Sequence, residues 1–81
     1  MTNLEKYKYA FTSNFRLKEE ELPGLKYQGI FQWDSVGHMD LIDDLERAYN
    51  IQIGMKDVLD ISSYEKGLKI LSENYGVNFD E

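Results

Sequence analysis

Ser35 follows Asp34 at the start of an acidic amphipathic stretch that runs to Tyr49, and that position gives its hydroxyl an unusual chemical opportunity. The first turn of a helix leaves backbone N–H groups unpaired and carries the positive end of the macrodipole, so a phosphate esterified to Ser35 is favoured there. The residue reads as an attachment point. His38 lies one turn further on, which raises a serine–histidine hydrolase as a second chemistry. A nucleophile of that kind also needs a positioned base, an orienting group and an oxyanion site, and no residues for them are visible. A packed or partly exposed histidine is the simpler expectation. Taken by itself the Asp-Ser dipeptide favours a plain first-turn serine, since most serines at helix starts only cap.

The same stretch carries Asp40, Asp43, Asp44 and Glu46. Their spacing lacks the alternating ligands and glycine of an EF-hand loop, so no metal site is expected and a solvated acidic face is the plain reading. Leu41, Ile42, Leu45, Ala48 and Tyr49 follow the spacing of a buried helical stripe. At 100° per residue, Val36 points nearly opposite the centre of that stripe and Met39 lies at its margin. Both are expected to be partly exposed beside the acids, as an apolar pair in a docking surface.

The elements that must position these residues are helical. A first helix over 3–14 is predicted from Leu4, Tyr7, Ala10 or Phe11 and Phe15, opened by a Thr2–Glu5 capping box. A second spans 35–49, capped by Asp34, with Asn50 in the left-handed turn at its end. A short third helix over 55–59 is too brief to stand by propensity and must be held by tertiary contacts. The last, over 63–75, begins at a second capping box, Ser62 with Glu65, presents Tyr64, Leu68, Leu71 and Tyr75 on one face, and stops at Gly76. Pro23, Gly24 and Gly29 break the pattern between the first two helices, although residues 18–22 can hold a helical turn. Tyr27, Ile30, Phe31 and Trp33 are expected to fasten that long loop to the core, with Trp33 also placed to guide whatever is attached at Ser35. The tail after Val77 is expected to fray. The expected architecture is all-α: a small antiparallel four-helix bundle, three longer helices and one short, forming one domain over residues 1–81.

Composition narrows the functional classes. The 81 residues carry a formal net charge of -6 and 42% hydrophobic content, enough for one small core. Residues 1–26 hold five basic and four acidic side chains, net +1; the remaining residues hold four and eleven, net -7. Such a surface repels nucleic acid and anionic lipid and steers basic protein surfaces towards itself. There is no cysteine, so thiol chemistry must come from an added group. The first residues lack the apolar run of a signal peptide and no stretch is long enough to span a bilayer. A cytoplasmic monomer that binds proteins is the expectation.

With the residues in view, Asp34-Ser35-Val36-Gly37-His38-Met39-Asp40-Leu41-Ile42, followed by Leu45 to Ile53, resembles the phosphopantetheine attachment site and recognition helix of acyl carrier proteins. The likeness runs through Val58 and Ile61-Ser62-Ser63 into the last helix, and reaches the first helix only by pattern. It implies a non-enzymatic carrier. Ser35 would be modified by a phosphopantetheinyl transferase using coenzyme A and magnesium, and the arm's thiol would hold acyl intermediates as thioesters. Asp34 would be the adjacent recognition acid, and Val36 and Met39 the apolar contacts for the transferase and for acyl-activating, synthase or acyltransferase enzymes. Asp40, Asp43, Asp44 and Glu46 would meet basic residues on those partners. Ile42, Leu45, Ile53, Val58, Ile61 and Leu68 would line the interior open to a hydrophobic cargo. Gln32 and Trp33 stand where the fatty-acid carriers usually have Gly and a small residue, and Gly37 and His38 where an acidic and a small polar residue are common. These departures favour a specialised freestanding carrier over the fatty-acid role. An aminoacyl or peptidyl carrier shares the same serine, helix and loop, and an unmodified acidic helical adaptor is the alternative from another class.

Overall fold

The computed structural model describes residues 1–80. Among these residues four α-helices appear in the order α1 (Asn3–Phe15), α2 (Ser35–Tyr49), α3 (Met55–Asp60) and α4 (Tyr64–Tyr75), with a single 3-10 turn at Glu19–Glu21. Among the described residues there is no strand, only an antiparallel bridge between Lys26 and Ser63. The predicted bounds differ by one residue at the end of α1, the end of α3 and the start of α4.

Each helix end has a local cause. Thr2 accepts the Glu5 N–H at 3.1 Å while the Glu5 carboxylate accepts the Thr2 N–H at 2.8 Å, completing the first capping box. α1 ends at Arg16, α2 at Asn50 and α4 at Gly76, all in the left-handed conformation that lets a chain leave a helix. The second capping box is not formed. Ser63, not Ser62, caps α4 by accepting the Lys66 N–H at 3.0 Å, and Glu65 turns away to accept the Gly24 N–H at 2.8 Å. Ser62 offers its backbone carbonyl to the Tyr27 N–H instead, so the loop takes the place a reciprocal cap would have filled.

One cluster of buried side chains holds the helices together, and its centre is aromatic. Tyr7, Phe11, Phe15, Trp33 and Tyr64 are buried, with the Phe11 ring 4.9 Å from Tyr7 and 5.3 Å from both Trp33 and Tyr64. Burying each ring contributes roughly 1.5–3 kcal/mol, a large share for so short a chain. The Tyr7 hydroxyl also donates to the Tyr64 carbonyl at 2.7 Å, tying α1 to the first turn of α4.

The long loop is fixed at both ends of its second half. Tyr27 N–H donates to the Ser62 carbonyl and Tyr64 N–H to the Leu25 carbonyl, each at 2.9 Å. Gln28 N–H then closes on the Trp33 carbonyl at 2.9 Å, and the Gln32 side chain donates to the Phe15 carbonyl at 2.9 Å. Trp33 is the anchor, while Tyr27 and Ile30 pack at the edge of the core. Phe31 departs from expectation: it is 94% exposed, because the tight closure that sends Trp33 inwards turns the preceding apolar ring out. The tail is also better held than expected. Val77 is buried, Phe79 packs on Tyr7 and Tyr49, and Asn3 donates to the Asn78 carbonyl at 3.0 Å.

Candidate functional site

Ser35 is the first residue of α2, and it is exposed. The residue before it performs the capping: an Asp34 carboxylate oxygen accepts the Gly37 N–H at 2.8 Å. The Ser35 hydroxyl is therefore not needed to end the helix, and no hydrogen bond engages it among the described residues. Gly37 is required by a close approach, since a β-carbon there would lie 2.3 Å from the Gln32 carbonyl oxygen. The loop can thus pass directly over the first turn of α2.

One turn on, the histidine is packed, as the simpler expectation had it. His38 is buried, and both ring nitrogens are committed: Trp33 Nε1–H donates to Nδ1 at 2.9 Å, and Nε2 lies 2.7 Å from the Val58 carbonyl oxygen. An indole N–H only donates and a carbonyl only accepts, so the ring is the Nε2–H tautomer. Neither nitrogen is left to activate Ser35, which removes the geometric basis for a serine–histidine pair. Trp33 is completely buried and does not face the path of an attached group. It acts through His38, as a brace beneath the Ser35 turn.

The apolar flank of α2 is placed as its periodicity implies. Val36 is 70% exposed and Met39 48% exposed, and across from them α3 exposes Met55 and Leu59, each at 72%. Between α2 and α3 lies an open cleft of about 230 Å³, bordered by Ser35, His38, Met39, Met55, Val58 and Leu59, with Tyr27 and Ile61 at its base. Of the six expected interior residues, only Val58 and Ile61 border this cleft. Ile42, Leu45 and Ile53 are buried in the helical core, and Leu68 is half-buried on α4.

The acidic residues divide into two groups. Asp34, Asp40 and Asp43 are exposed beside Ser35 and along α2. Asp44 and Glu46 are partly buried and have internal partners. Asp44 accepts from Asn14 at 2.7 Å and pairs with Arg47, while Glu46 accepts the Ile53 N–H at 2.8 Å. Those two carboxylates hold α1 and the chain after α2 in place, a use that periodicity on a single helix does not reveal. Among the described residues, no three acidic or histidine side chains are grouped to hold a metal ion.

Larger depressions on other faces, such as those beside Tyr9 and Asp44 or beside Leu68 and Phe79, contain no serine hydroxyl at a helix start. Ser35 with its cleft is the place where a reactive group, an apolar wall and exposed acids meet. Comparisons with protein-family models, with curated proteins and with solved structures found no match. No helix is long and apolar enough to cross a membrane among the described residues.

Proposed function

We propose that this chain is a carrier protein, in which Ser35 receives phosphopantetheine from coenzyme A and the arm's thiol holds acyl intermediates as thioesters. One observation carries the reading: an exposed serine opens α2 with its hydroxyl released from capping by Asp34. A phosphodiester at that position sits at the positive end of the helix macrodipole. The cleft beside Ser35 gives a returning arm and a small apolar cargo a wall to rest on. The resemblance of residues 34–53 to acyl carrier proteins supports the same assignment, and with it an antiparallel arrangement of the three longer helices.

The chain then works without catalysing a reaction. Val36 and Met39, with Met55 and Leu59 across the cleft, supply apolar contacts for a partner enzyme. Asp34, Asp40 and Asp43 supply charges that accelerate encounter with a basic surface and weaken with salt. Contact through a few exposed groups favours fast release, as a shuttle requires. A monomer in the same compartment as the transferase fits this use. An aminoacyl or peptidyl cargo would use the same attachment chemistry. The test is incubation with coenzyme A, magnesium and a transferase of broad specificity. Transfer of labelled phosphopantetheine to the wild type supports the proposal; no transfer, with the protein folded, favours the unmodified acidic adaptor.

A further inference from the structure

The Trp33–His38–Val58 bridge joins three segments at one buried ring. Trp33 belongs to the long loop, His38 to the first turn and a half of α2, and Val58 to the last turn of α3. Val58 offers a carbonyl of the kind that a helix end leaves without an intrahelical partner. The His38 ring lies 6.1 Å from Trp33 in a stacked arrangement and meets Tyr27 edge-on at 5.4 Å. Ser35, three residues before His38, stands on the same cleft.

We propose that His38 is a positioning residue whose ring, as the Nε2–H tautomer, clamps the Ser35 turn to the loop and to α3. The clamp needs a ring that accepts at Nδ1 and donates at Nε2, a pairing that the neutral imidazole supplies in one tautomer. Losing the ring frees the start of α2 from both neighbours, and with it the turn that presents Ser35. Only the consequence for modification rests on the reading of Ser35 as an attachment site.

The chain has one histidine and one tryptophan, so both ring systems can be followed by NMR on the full-length protein without ambiguity. At pH 7.5 the imidazole should show a protonated Nε2 and a bare Nδ1, and a coupling across the hydrogen bond should link the indole Nε1 to that Nδ1. The thermal midpoint of His38→Gln should lie below that of the wild type. An Nδ1–H tautomer, or the absence of that coupling, overturns the clamp; both readouts use the wild type and do not depend on the variant folding. In a parallel arm, phosphopantetheine transfer at pH 7.5 should be several-fold slower to His38→Gln than to the wild type. Absence of transfer to the wild type would refute the attachment reading, while the two NMR signals would still decide the clamp.

Discussion

The Tyr7 hydroxyl fills the space beside Gly67 that any larger residue would need. A β-carbon at position 67 would lie 2.1 Å from that phenolic oxygen and 3.3 Å from an Ile61 methyl group. Tyr7 cannot yield cheaply, because its ring is buried and its hydroxyl donates to the Tyr64 carbonyl. Gly67→Ala should therefore destabilise the protein by about 1–3 kcal/mol, as overpacking does, although alanine is the better helix former. Chemical denaturation of the two proteins measures the difference, and a variant as stable as the wild type would contradict this packing.

Tyr7→Phe tests the same contact from the other side. Removing the hydroxyl leaves the buried Tyr64 carbonyl without this donor, a loss of about 1–3 kcal/mol. Burial holds the Tyr7 phenol well above its ordinary range, with Tyr64 and Tyr49 adding to the shift. Since the folded state keeps this proton longer than the unfolded chain, the associated stability is fully present below about pH 10 and is lost as the pH rises through the folded value. Wild-type stability should fall more steeply above pH 10 than that of Tyr7→Phe, as read by denaturation at several alkaline pH values.

Asp34→Ala removes the side-chain cap of α2 and should cost about 0.5–2 kcal/mol. The effect should be local, with the amide signals of residues 35–38 shifting more than those of α1. Gly37→Ala should also disturb this turn, since its β-carbon meets the Gln32 carbonyl. A comparison of amide spectra checks both variants, and a change spread evenly over the chain would argue against Asp34 as the local cap.

Asp40→Lys combined with Asp43→Lys should leave the thermal midpoint nearly unchanged, because both residues are exposed on α2. With a basic transferase, the double variant should reduce kcat/KM by about tenfold at low salt, and the deficit should shrink as salt is added. Reversal at Asp44 or Glu46 should instead lower stability, since those carboxylates bind Asn14 and the Ile53 N–H. Initial rates at two ionic strengths, with thermal melts of the same samples, separate the two groups.

Features set by neighbouring residues were legible in the sequence: the Thr2–Glu5 box, the Asp34 cap, the left-handed exits at Asn50 and Gly76, and the exposure of Val36 and Met39. These depend on one helix at a time. Features set between elements were not. Nothing in the periodicity of α2 distinguishes Asp43, which faces solvent, from Glu46, which curls back to the Ile53 N–H. Trp33 and Phe31 are equivalent by composition, and only the closure of the loop sends one inside and the other out. The His38 bridge joins residues 5 and 20 positions away, so its sole hint was a histidine adjoining an apolar stripe. Phe79 looks like frayed tail in the sequence because its partners, Tyr7 and Tyr49, lie far away in α1 and α2.

The central claim is a covalent bond at the Ser35 hydroxyl. Mass spectrometry of the intact chain, before and after incubation with coenzyme A, magnesium and a broadly acting transferase, tests it most directly. The account predicts a gain of one phosphopantetheine per chain, located by fragmentation to Ser35 and absent from Ser35→Ala. An unchanged wild-type mass, or an equal gain in Ser35→Ala, would contradict it.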